Sequence, residues 1–173
     1  MRIIILLSFL IITFSSSAFS TNIRVLDFQK IVQNNISLNS LYDLINNDQQ
    51  YHKTIFTNEE INLQKELKKI DELNLILEPE ELENEVEIYN QKLKDFNDKI
   101  EKFNIHYELQ VNNFKNKIIN KILDVLKKYS EDNKIDLILD SNNYILSSNS
   151  INITDLIEEK VNNKKIEINF EKY

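Results

Sequence analysis

The chain has 173 residues, 21 basic and 28 acidic side chains, a net charge of −7, no cysteine, no glycine and one proline. This composition excludes disulfides, glycine-rich phosphate loops and glycine-flanked nucleophile turns. An acidic balance also argues against nucleic acid as a partner, because phosphate neutralisation needs clustered Lys and Arg.

Arg2 precedes an apolar run from Ile3 to Phe14 and the small polar stretch Ser15 to Ser20. This is the layout of a secretory signal peptide, and the run is too short to span a bilayer. The expected cut follows Ser20, with Ala18 and Ser20 as the small pair; a cut after Ala18 is the alternative. Arg2 is the only charged residue in 1–20, so removal leaves 20 basic against 28 acidic residues, a net −8. No Cys stands at the cut to carry a lipid anchor, and the predicted mature protein is exported and soluble.

Ile23 to Phe28 is predicted as a short strand. Gln29 to Asn39 is mixed, with a helical turn or two and a break at Asn34-Asn35. Ser40 is positioned to cap a helix beginning at Leu41. Apolar residues then recur at helical spacing through Ile45, Ile55, Phe56, Leu63, Leu67, Ile70, Leu73 and Leu77, although Asn46 to His52 is polar. Glu78-Pro79-Glu80-Glu81 ends this helix and starts the next: Pro disfavours helix at the residue before it and suits a first turn, where acidic residues are also favourable.

The second helix is the clearest element. Leu82, Val86, Tyr89, Leu93, Phe96, Ile100, Phe103 and Tyr107 step by alternating fours and threes, a coiled-coil seam. The seam continues through Val111, Phe114, Ile118, Ile122, Val125 and Tyr129, with stutters where two steps of four adjoin. Two such helices joined at one Pro predict an antiparallel hairpin of roughly 55 Å or more. Ser130 to Asn133 is read as the helix break. Ile135–Leu139 and Tyr144–Leu146 are read as strands of a β-hairpin about the turn Ser141-Asn142-Asn143. Asn152 is predicted to cap a last helix, with Asp155 in the reciprocal position and Leu156, Ile157 and Val161 on the apolar face. The β-hairpin would bring the chain back to Ile23–Phe28 and close a small α+β body at the foot of the arm.

The stretch "KIDLILDSNNYILSSNSINITDLI" resembles the C-terminal signature of the Skp/OmpH-like periplasmic chaperones. The correspondence runs through Ile135-Asp136-Leu137-Ile138-Leu139-Asp140 and Asn152-Ile153-Thr154-Asp155. The opening strand Ile23-Arg24-Val25-Leu26-Asp27 is similar too, and the likeness extends in order and spacing to about Val161. The resemblance implies an α+β fold, a long antiparallel helical hairpin on a small β-sheet trimerisation body. It implies a homotrimer whose arms enclose unfolded outer-membrane β-barrel proteins in the periplasm without ATP. On this reading residues 1–20 are the signal peptide, 21–40 and 130–173 the body, and 41–129 the arm with its tip near 78–81. Ile23, Val25, Ile135, Leu137 and Leu139 are the expected trimerisation residues.

Two departures stand out. Lys165 to Phe170 alternates through Ile166, Ile168 and Phe170 beyond the family's usual end, and could add a strand. Well-studied members are basic, whereas this chain is acidic and its tip carries Glu78, Glu80, Glu81, Glu83, Glu85 and Glu87 with no Lys or Arg between, so the lipopolysaccharide binding that the resemblance implies is not carried over and membrane lipid is not an expected partner. Off the seam, Leu75, Ile76 and Ile88 are candidate client contacts. Ile105 and Leu109, with Ile119, Leu123 and Leu126, form a second apolar stripe, read either as packing against the body or a neighbour or as a wall facing clients. His52 and His106 are too few for a metal site. Paired carboxylates such as Glu80-Glu81 read as a solvated face, so no catalytic residue, cofactor or metal is expected. The rival reading is a structural coiled-coil spacer or adaptor of the cell envelope.

Overall fold

The computed structural model describes residues 21–173, so the segment read as a signal peptide lies outside the described residues. Strand β1 (Ile23–Leu26) opens the fold and is shorter than expected. The reason is Asp27, whose side chain accepts from the Lys30 N–H at 2.8 Å and caps helix α1 (Phe28–Gln33). Phe28 is therefore helical. The Asn34-Asn35 break is present.

Helix α2 runs from Ile36 to Leu73, five residues earlier than the Ser40 cap implied. Asn35 caps it instead, accepting from the Leu38 N–H at 3.1 Å, while the Ser40 hydroxyl donates back to the Ile36 carbonyl from inside the helix. The polar stretch 46–52 does not interrupt α2, because buried Asp48 is satisfied by a 2.6 Å hydrogen bond from the Tyr107 hydroxyl across the hairpin. After a short turn, helix α3 spans Pro79–Asn133, with Pro79, Glu80 and Glu81 in its first turn as read.

Ser130 to Asn133 does not break α3. The helix ends at Lys134, which adopts left-handed φ 51. The Ile135 N–H reaches the Ser130 carbonyl at 3.0 Å and the Lys134 N–H reaches Glu131 at 3.4 Å, a Schellman-type ending. The Asn22 side chain donates to the carbonyls of Asn133 and Lys134, tying the start of the described chain to this ending. A glycine would normally occupy the left-handed position.

Strand β2 (Leu137–Asp140) pairs in parallel with β1, Ile23 opposite Leu137 and Leu26 opposite Asp140. The expected β-hairpin is not formed. Asp140 accepts from the Phe28 N–H through one oxygen and from the Asn142 side chain through the other, and Ser141–Asn143 closes as a 3-10 turn. That turn directs the chain away from β2, and among the described residues Tyr144–Leu146 has no strand partner. A second 3-10 turn, Asn149–Ile151, leads back to β1, where the Ile153 N–H bonds the Val25 carbonyl at 2.9 Å.

Helix α4 (Thr154–Asn162) begins under Asn152, whose side chain accepts from both the N–H and the hydroxyl of Thr154. Asp155 does not reach back as a reciprocal cap; it pairs with Lys30 at 2.8 Å. Ile157 and Val161 are buried, and Leu156 is exposed. Residues 165–170 form no strand. Ile166, Ile168 and Phe170 instead lie half-buried against the core.

The core sits at the foot of the hairpin. Leu26, Ile31, Leu38 and Leu41 meet Ile118, Ile122 and Val125 of α3 and Ile153, Ile157 and Val161 near α4. Each fully buried aliphatic side chain contributes about 1.5–3 kcal/mol. Toward the tip the seam thins: Leu63 and Phe96 are the last buried pair, and Leu67 and Val86 beyond them are exposed.

Candidate functional site

The candidate residues fall into three places. Leu75 and Ile76 sit in the turn between α2 and α3 and are 86% and 79% exposed. Nothing in a two-helix tip can cover them, because the seam points inward and the turn lies beyond its end. Ile88 lies a few residues down α3 beside a small groove shared with Ile70, Leu73 and Tyr89. Around this tip all six Glu from Glu78 to Glu87 are exposed. Ile105 and Leu109, one helical turn apart, are exposed lower on α3. Lower on the same stripe, Ile119 and Leu126 are half-buried and Leu123 between them is 52% exposed, so the stripe is open at 105, 109 and 123 and partly covered at 119 and 126. The structure does not bring the tip residues and the stripe together within one chain.

The third place is the sheet. Val25 and Ile135 are buried within their own chain, Ile23 and Leu139 are half-buried, and Leu137 is exposed. Of the five residues read as a trimer contact, Val25 and Ile135 are thus occupied by the protomer's own packing. The outer edge of β2 is unpaired among the described residues, and Ile145 and Leu146 stand fully in solvent nearby.

A fourth feature was not foreseen. Residues 165–173 lie along the arm, and Tyr173 reaches the level of His52 and Phe103. Its ring lies 5.4 Å from His52, 5.1 Å from Phe103 and 5.6 Å from His106, edge-on in each case. The two histidines, far apart in sequence, meet one tyrosine. The Gln110 carboxamide binds both main-chain groups of Glu171, at 2.9 and 2.8 Å. Asp48 accepts from the Tyr173 N–H at 3.1 Å. Alternation at 166, 168 and 170 was the signal; it announces an extended segment but not what the segment lies on.

Electrostatics here follow from burial and hydrogen bonding. Burial alone would raise the Asp48 carboxyl, but the Tyr107 hydroxyl and the Tyr173 N–H, helped by His52 and Lys172, hold it below its ordinary value. Burial pushes the Tyr107 hydroxyl up, and its bond to Asp48 pushes it further. Asp140 is held low chiefly by the Phe28 N–H. The ion pairs Lys92–Glu66 and Lys99–Glu59 link α2 and α3 at 2.9 and 2.8 Å, and exposed pairs of this kind contribute about 0–1 kcal/mol each. No three His, Cys, Asp or Glu among the described residues converge as metal ligands. No described helix is long and apolar enough to cross a membrane. What the arrangement offers chemically is apolar contact, spread over a long arm.

A family model described as "Outer membrane protein (OmpH-like)" matches residues 22–161. No curated protein matches the chain. Among solved structures, a Caulobacter crescentus protein described as a candidate outer membrane chaperone (OmpH-like) superposes with a TM-score of 0.71 at 14% identity, covering 88% of this chain and 90% of its own. The strand–hairpin–strand–helix order and the family match over most of the described residues agree, and the chain belongs to the OmpH-like family.

Proposed function

We propose that the protein is an ATP-independent periplasmic holdase that works as a homotrimer and encloses unfolded outer-membrane β-barrel proteins between its arms. The observation that carries this reading is the set of exposed apolar side chains on the arm, Leu75, Ile76, Ile88, Ile105 and Leu109, in a fold whose own core is broadest at the foot and thins toward the tip. Isolated apolar side chains are normal on surfaces. Five on one slender arm, in a chain of this family, supply many weak contacts to an unfolded polypeptide. The proposed body comprises residues 21–40 and 130–173, and the proposed arm residues 41–129. The half-buried Ile23 and Leu139 and the exposed Leu137 are the proposed subunit contacts, with Val25 and Ile135 supporting them from within the protomer.

Release follows from competition: a client that folds in its membrane withdraws its apolar surface, and no nucleotide is consumed. The test is suppression of aggregation of a urea-unfolded barrel protein on dilution. The wild type should suppress it near stoichiometry, and a variant with Leu75, Ile76, Ile88, Ile105 and Leu109 replaced by Ser should fail while keeping its helix content. A wild type with no effect would instead support the spacer reading.

A further inference from the structure

We propose that residues 164–173 occupy, within the chain, an arm site for an extended segment of alternating apolar and polar residues ending in an aromatic, and that a client strand of this kind displaces them. The inference rests on the chaperone reading above and names the kind of client segment this site takes.

The segment is held in the way a general peptide site holds its ligand. Gln110 pairs with the N–H and the carbonyl of one residue, Glu171, and His106 Nε2 stands 2.9 Å from the same carbonyl. Two residues on, Asp48 accepts the N–H of Tyr173. All these arm side chains address main-chain atoms, so they read conformation and register without reading sequence. The spacing of two matches an extended chain, in which alternate residues face the same way. Ile166, Ile168 and Phe170 are half-buried against the core, and Lys165, Glu167 and Asn169 between them are exposed; the phase then shifts by one residue, with Lys172 exposed and the Tyr173 ring on Phe103.

The fit is incomplete in an informative way. Leu44, Asp48, Tyr51 and Ile55 of the arm, with Phe170 and Tyr173 of the segment itself, line an open groove of about 740 Å³, and Tyr173 keeps 40% of its surface exposed. Open space therefore remains beside the segment's own aromatic side chains. Displacement is inexpensive for the arm, because Asp48 retains the Tyr107 hydroxyl and the incoming strand replaces the Tyr173 N–H. Strands of membrane barrels have the matching chemistry, alternating apolar and polar residues with aromatic girdles at both interfaces.

An attached segment presents itself at about millimolar effective concentration. If the site's affinity is about 0.1 mM, it is closed about nine-tenths of the time, and release should tighten apparent peptide binding about tenfold. The experiment uses the full chain and a fluorescent ten-residue peptide copying residues 164–173, with a scrambled copy that lacks alternation. Phe170→Glu with Tyr173→Ala should raise peptide affinity about tenfold over wild type. Adding Gln110→Ala should abolish the gain, and the scrambled peptide should bind neither form. Unchanged or weaker peptide binding in the released variant, with lower thermal stability, would make the segment a structural strap and overturn the proposal. Hydrogen exchange on the wild type provides a second measurement that needs no variant. Excess peptide should remove protection at Glu171 and Tyr173, and retained protection would overturn the proposal. An unfolded barrel protein, run in parallel, separates the two claims. If it is held but ignores segment release and Gln110→Ala, this site fails and the chaperone reading stands. If the peptide behaves as described but no barrel protein is held by any form, the site stands and the chaperone reading fails.

Discussion

Tyr107→Phe removes one atom from the middle of the arm and should be costly. The Tyr107 hydroxyl donates to Asp48 at 2.6 Å, both groups are buried, and the bond crosses from α3 to α2. A hydrogen bond to a charged group contributes about 1.5–3 kcal/mol net. Phe fills the same space, so no cavity term is added, and Asp48 keeps only the weaker 3.1 Å bond from Tyr173. The expected loss at pH 7 is about 2 kcal/mol in urea unfolding at fixed protein concentration. The pH dependence carries the same signature. Asp48 is held below its ordinary value of 3.8, so its stabilisation is complete above that value and is lost as pH falls through the lower folded value. The gap between wild type and Tyr107→Phe should therefore be constant from neutral pH down to about 4 and close below it. A double-mutant cycle with Asp48→Asn should give a coupling of about 1 kcal/mol or more. A cost under about 0.5 kcal/mol, or a gap that does not change in acid, would mean that the hydroxyl does not bond an ionised carboxylate, and the reasoning would be refuted.

Lys134→Gly should raise stability by about 0.5–1 kcal/mol, since Lys134 carries a left-handed φ of 51 that costs an L-residue about 1–2 kcal/mol; thermal melts check it. Ile122→Ala, at a fully buried foot position, should cost about 2–5 kcal/mol, while Leu75→Ala at the tip should stay within about 0.5 kcal/mol; urea titration of both variants separates foot from tip. Client affinity should hold or rise between about 50 and 300 mM salt, because salt screens repulsion from an acidic arm and does not weaken apolar burial. Binding isotherms at several salt concentrations test this, and affinity collapsing with salt would point to a basic surface within the arms, at Lys92, Lys94, Lys99 and Lys102.

The arm was legible because its signals are local and repeated. Pro79 sets the start of α3, and the seam from Leu82 to Tyr129 supplies every residue of α3 that is buried, from Phe96 to Val125. Leu75, Ile76 and Ile88 were legible as exposed because they lie off the seam near the tip, whereas the stripe through Ile105 and Leu109 was compatible with packing or exposure, and both residues are exposed. The ends of elements were not. Ser40 and Ser130 carry stop-and-start chemistry, but Ser40 bonds back into its own helix and Ser130 helps close a Schellman ending. Tyr144–Leu146 is a short apolar run and residues 165–170 alternate, both as strands do, yet such patterns specify an extended chain and leave its partner open. For the first no partner strand exists among the described residues, and for the second the partner is a helical arm. The parallel pairing of β1 with β2 depends on residues more than a hundred positions apart, which no short window of sequence contains. Asp48 was passed over as part of a polar stretch, because its partners Tyr107 and Tyr173 lie on other segments.

The most direct measurement of the central claim is the mass of the purified protein by light scattering, alone and after mixing with a urea-unfolded barrel protein. The account predicts a trimer at micromolar concentration that gains the mass of one client and stays soluble, and a Leu137→Asp variant that falls to monomer and gains none. A folded monomer, or a trimer whose mass is unchanged while the client precipitates, would contradict it.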